Sequence, residues 1–216
     1  LSVCSFGQDE FDFDSDFEFD SEPPITFNST RVISGHSVEV LPEKTFEMRI
    51  EHRFGDIAGS NGGVQTMFGF DNVTDMRIAL EYGLTEKLMF GFGRCKGTGV
   101  PYRSLLDGFV KYRLFEQVKD SIPLSCTILG GATFTYQKAS SDISSVNHFP
   151  RTTHRFAYFY QLNIARRFGK FLSISLMPTL VHRNYVADND INTLVTLGGA
   201  LRIKLSKKFF LLSEYY

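Results

Sequence analysis

Between Glu43 and Asp56 the chain alternates charged and apolar residues. Glu47, Arg49, Glu51 and Arg53 share one parity, and Phe46, Met48, Ile50 and Phe54 share the other, with His52 as a break on the apolar side. On a strand, residues two apart stand in a row on one face. A row of carboxylates and guanidiniums can do two things: pair with opposite charges on neighbouring strands, or line a narrow aqueous passage and select what enters it. Further charges share the same kind of parity downstream: Arg77, Glu81, Lys111, Arg113, Arg202 and Lys204. These ten residues form a candidate inward-facing charge network. Bases outnumber acids among them, which would give an open passage a weak anion preference. Gly91, Gly93 and Ala79 leave room beside the long side chains.

Other chemistry is poorly represented. The histidines are His36, His52, His148, His154 and His182; His148 and His154 share a polar loop, and His36 lies near Glu39. None accompanies a nucleophile motif such as GxSxG, so no catalytic constellation is expected. Cys4, Cys95 and Cys126 are widely spaced without a CxxC, which points to neither zinc nor a disulfide framework. The glycines of 55–63 lack the lysine and following helix of a phosphate loop. The chain therefore reads as a non-enzyme without metal or cofactor. With 23 basic and 24 acidic residues it has no basic field for nucleic acid.

Period-two alternation continues to the last residue and predicts strands throughout. Apolar sets such as Met76, Ile78, Leu80, Tyr82 and Leu84, or Phe156, Tyr158, Tyr160, Leu162 and Ile164, oppose polar ones. Phe109 and Phe115 are apolar exceptions on a polar face, and Pro178 predicts a bulge or kink because it cannot donate to a ladder. A soluble sandwich or lipocalin-like barrel shows the same alternation with the greasy side inward. The connections decide between them. They alternate long and short, as in outer-membrane barrels, and the strands run to about 9–13 residues, enough to cross a bilayer at a tilt. Tyr82, Phe168 and Phe171 near short turns and Phe54 and Tyr136 near long loops fit two interfacial girdles. No apolar run reaches the ~18 residues of a transmembrane helix. A mean hydropathy of -0.10 suits a wall that is half polar. The expected fold is all-β: an antiparallel up-and-down transmembrane β-barrel of about ten to twelve strands when complete.

The start of the chain divides differently. Residues 1–7 read as the remnant of a secretory signal peptide, with small Ser5 and Gly7 before a cut at Gln8. Residues 8–24 are an acidic, Phe-rich stretch ended by Pro23 and Pro24, expected as a solvated periplasmic tail. Weak calcium binding or docking of its Phe stripe on a protein partner are the sharper alternatives. Residues 25–216 are the barrel domain, within which Ile25 to Leu41 is a short strand or an ordered lead-in; as a strand it would bring the nine that follow to an even ten.

Four phrases in order, TFNSTRVISGHSVE from Thr26, RIEHRFGD from Arg49, FGFDN from Phe68 and EYGLTEKLMFGFGR from Glu81, resemble a family of uncharacterised outer-membrane β-barrel proteins of Bacteroidetes-type bacteria. The resemblance spans roughly Pro24 to Tyr216. It implies a barrel in the bacterial outer membrane, with lipid as its neighbour, and members that continue past the point where this chain stops. It supplies no catalytic residues. Two functions follow as expectations: a narrow channel, transport or solute-binding barrel, or a structural or assembly component whose lumen is closed and filled with charge.

Overall fold

The computed structural model describes residues 25–59, 61–71, 73–97, 99, 103–206 and 209–216. The expected signal remnant and acidic tail lie outside the described residues. Nine strands follow one another: β1 (Phe46–Phe54), β2 (Val73–Thr85), β3 (Leu88–Lys96), β4 (Ser104–Phe115), β5 (Ser125–Thr135), β6 (Phe156–Phe168), β7 (Leu172–Arg183), β8 (Thr193–Lys204) and β9 (Phe210–Tyr215). They form one sheet in sequence order, each antiparallel to the next. The sheet is not closed between β1 and β9.

Alternation sets which way each side chain points. Ile50, Leu80, Phe92, Val110, Leu176 and Leu197 are exposed on the outer face. Glu81, Lys111, Thr127, Asn163 and Ser173 on the inner face are 0% exposed. A soluble barrel would reverse that order; a contiguous apolar exterior calls for lipid. The expected alternation of connections holds at both sides of the sheet but not in its middle: tight turns join β2 to β3 and β6 to β7 against long links at 55–72 and 136–155, whereas the β4–β5 link, 116–124, is longer than the β3–β4 link, 97–103.

Two local irregularities explain sequence exceptions. A register shift between Arg113 and Phe115 turns Phe115 outward, where it is 40% exposed, so Phe115 does not belong to the polar face. Phe109 does face inward and is buried. At Pro178 there is an interruption rather than a bulge. The β6–β7 ladder pairs Gln161 with Thr179 and resumes at Ile164 with Leu176 in the same register, while Pro178 stays aligned with Leu197 on the β8 side. The missing donor costs ladder pairs without displacing the strand.

The main departure from expectation concerns the segment before β1. Residues 25–41 add no tenth strand to the sheet. They form a finger inside it, with a single antiparallel bridge between Arg31 and His36 and a bond from Val32 N–H to the Gly35 carbonyl at 2.9 Å. Phe27, Val32 and Val38 pack on Ala165, Met177 and Ala200 from β6, β7 and β8. Val40 and Leu41 pack on Met89, Phe109 and Leu129 from β3, β4 and β5. The apolar core is therefore built between the finger and small or apolar inward positions of the wall.

Candidate functional site

The finger enters and leaves on the short-turn side. At its start, the Ile25 carbonyl accepts from Arg167 at 3.2 Å, near the β6–β7 turn. At its end, Lys44 N–H donates to the Gly83 carbonyl at 2.8 Å, beside the β2–β3 turn. A Cβ at Gly83 would collide with the Pro42 backbone, so the close approach of finger to wall requires glycine there.

Between these points the wall's charges close on the finger. Glu81 from β2 receives Arg31 at 3.0 Å and faces Arg49 from β1 at 3.7 Å. Arg49 also pairs with Glu47 and donates to the Thr30 hydroxyl at 2.8 Å. Arg77 bridges outward from this centre, to Glu51 at 2.8 Å and to Asp107 of β4 at 2.6 Å. Arg31 lies 4.0 Å from Glu51, which joins the two groups into one network. Lys111 of β4, wholly buried, donates to the carbonyls of Thr30 (3.2 Å) and Glu39. Arg113 meets Glu39 at 3.7 Å and Glu116 at 3.0 Å.

Across the barrel the contacts are neutral or single. Asn163 of β6 donates to the Ser37 carbonyl at 3.3 Å. The finger's tip meets β9, where the Glu214 carboxylate accepts the N–H groups of Ile33 (3.1 Å), Ser34 (3.3 Å) and Gly35 (3.0 Å). Consecutive amides converging on one carboxylate form an anion-binding nest. The Gln161 amide Nε2 of β6 donates to the Tyr216 hydroxyl at 2.9 Å beside this tip.

Burial perturbs the acid–base balance of His36 and Glu39 in the finger. His36 is enclosed, its ring 4.6 Å edge-on to Phe109, and burial plus the Arg31 and Lys111 cations hold its pKa well below the ordinary 6.5. Burial raises the Glu39 carboxyl, against the downward pull of the Phe27 and Thr26 amides that it accepts.

Of the ten expected network residues, the structure brings Glu47, Arg49, Glu51, Arg77, Glu81, Lys111 and Arg113 together with one another or with the finger. Arg53 sits exposed at the long-loop end of β1, beyond the finger. Arg202 and Lys204 face inward but lie apart, stacked over the Phe210 ring at 4.4 and 6.0 Å. Sequence reading missed Arg31 and Glu39 as members, because no period-two signal marks a finger that is not a strand; it also missed Glu214, which stands on β9 and shares parity with Phe210 and Leu212. Asp107 was visible, since it shares parity with Lys111 and Arg113. The glycines behave as read: a Cβ at Gly91 would strike the Phe109 ring, and one at Gly93 would crowd Arg77 and Asp107.

His154 stacks on Tyr185 at 5.0 Å, and His148 Nδ1 lies 3.0 Å from the Ser140 carbonyl. No group of three or more His, Cys, Asp or Glu among the described residues is placed to hold a metal. Residues 27–216 match a protein family described as "Membrane bound beta barrel domain (DUF5777)". Neither a curated protein nor a solved structure matches the chain.

Proposed function

Because this chain belongs to the membrane-bound β-barrel family matched over residues 27–216, we propose that it is a barrel of the bacterial outer membrane with a filled, non-conducting lumen, serving as a structural or assembly component. The observation that carries this reading is the finger. Seven of the ten charges expected to line a passage, those of β1–β4 other than Arg53, are engaged with the finger or with each other, and Glu81, Lys111 and Asn163 are sealed beneath it. A conducting pore needs side chains that ions can reach in exchange for water; here Arg31, Lys111 and Glu81 already have protein partners.

Outer-membrane placement is supported by the contrast between the tight β2–β3 and β6–β7 turns at one end and the long β1–β2 and β5–β6 links at the other. Under that placement the short turns, and both ends of the finger, face the periplasm. Loops on the opposite side, such as the one carrying His148 and His154, would face outward and offer surface to partners.

Planar-bilayer recording on the full chain tests the reading. The wild type stays silent, and Glu214→Gln, which weakens the tip's nest, introduces intermittent steps. Steady single-channel steps from the wild type, reduced by Arg49→Ala, would support the channel reading instead.

A further inference from the structure

The inner wall is charge-balanced on one side only. Strands β1–β4 carry both signs, paired as described. Strands β5–β8 contain no Asp or Glu, yet near the short turns their inner face holds Arg167, Arg202 and Lys204. Ser173 of β7 stands directly opposite Arg167 of β6 and directly opposite Arg202 of β8. Side chains so placed start about 5 Å apart, so two guanidiniums flank one hydroxyl.

Two of these three groups hold enclosed polar atoms without partners. Arg202 is 7% exposed, makes no ion pair among the described residues, and its Nε has no acceptor. Ser173 is 0% exposed and its hydroxyl has no partner. Arg167 is engaged at its edges, with Ile25 and Gly169 carbonyls at 3.2 and 3.0 Å. Glu39, a carboxylate whose field reaches Arg202, is already held by two amides and Arg113. Burying a guanidinium without a counter-ion is strongly unfavourable, and orphaned buried polar atoms call for a missing partner.

We propose that Arg202, Ser173 and Arg167 form a binding site for one oxyanion group, a carboxylate or a phosphate, at the short-turn end of the lumen. The Arg202 fork suits a planar or tetrahedral oxyanion, and the Ser173 hydroxyl supplies a further donor. This inference does not rest on the lumen being closed. The oxyanion has two available sources. One is a dissolved anion. The other is an acid of this chain's own residues 9–22: Glu22 is three residues from Ile25, a reach of up to about 10 Å, so a tethered carboxylate competes at high effective concentration.

Inorganic phosphate, titrated calorimetrically into the full chain in micelles at low chloride, tests the site. The titration is repeated on a variant whose acids at 9–22 are changed to Asn or Gln. Binding in the wild type, weakened at least tenfold in Arg202→Gln and severalfold in Ser173→Ala, assigns a dissolved anion. Binding that appears only in the acid-neutralised variant, and again depends on Arg202, assigns the chain's own carboxylate. Exposed Lys170→Gln leaves either result unchanged. Circular dichroism checks that Arg202→Gln keeps its strands; if it does not, the small change Ser173→Ala decides alone. No phosphate binding in either background, or binding indifferent to Arg202 and Ser173, overturns the proposal.

Discussion

At the scale of single residues, Glu81 is the hinge of the charge network. It lies at 3.0 Å from Arg31 and 3.7 Å from Arg49, and it is wholly buried. Glu81→Gln keeps the shape and removes the charge, leaving two guanidiniums short of a counter-ion. A loss of about 3 kcal/mol is expected, read as a lowered urea midpoint in micelles. Gly91→Ala tests the opposite fault. Its new Cβ would meet the Phe109 ring, which is itself held against His36 and Arg31. Overpacking of this kind costs about 1–3 kcal/mol, and pairing the change with Phe109→Leu should recover most of it. His36 gives the pH dependence. Its folded pKa is lowered by burial and neighbouring cations, so the unfolded chain takes up the proton first. Its contribution is fully present above the unfolded value near 6.5 and is lost as pH falls below it. The urea midpoint should therefore drop from pH 7 to pH 5, and less so in His36→Gln.

At the scale of elements, the strands were legible and the finger was not. The strands announce themselves by parity: one face of β2 is Met76, Ile78 and Leu80, and the other is Arg77, Ala79 and Glu81. Their order followed from connection length. The finger has no such period, because its residues alternate between facing Lys111, Asn163 and Glu214 on different strands. Its polar content reads as lead-in chain, and its place inside the sheet is a long-range fact that local pattern does not carry. The pairing of Arg77 with Asp107 across β3 was legible only in part, since it needs the register as well as the parity and the empty space at Gly93. The tip's attachment makes an element-scale prediction. With Glu214→Gln the nest loses its charge, and amide exchange at Ile33, Ser34 and Gly35 should speed up at least tenfold, while amides of β2 and β3 keep their protection. Equal acceleration everywhere would mean that Glu214 supports the sheet rather than the finger.

At the scale of the whole molecule, the inside-out arrangement decides everything else. Polar and charged groups meet a finger of the same chain, and apolar groups meet the surroundings. The chain contains no Trp, so single tryptophans report their position without background. Leu80→Trp and Leu176→Trp place the indole on the outer face, where the native residues are 46% and 51% exposed. Ser144→Trp places it in the long β5–β6 loop. In vesicles of phosphatidylcholine brominated on the acyl chains, the first two should be strongly quenched with blue-shifted emission, and the loop variant should be neither. The physical reason is contact: quenching by bromine needs the indole among the acyl chains, and an outward residue in a lipid-spanning wall is there by geometry. A wall that met water on this face would leave all three emissions alike. Because the strands form one continuous sheet from β1 to β9, one outward strand position quenched on β2 and one on β7 is enough to place the whole apolar face in lipid.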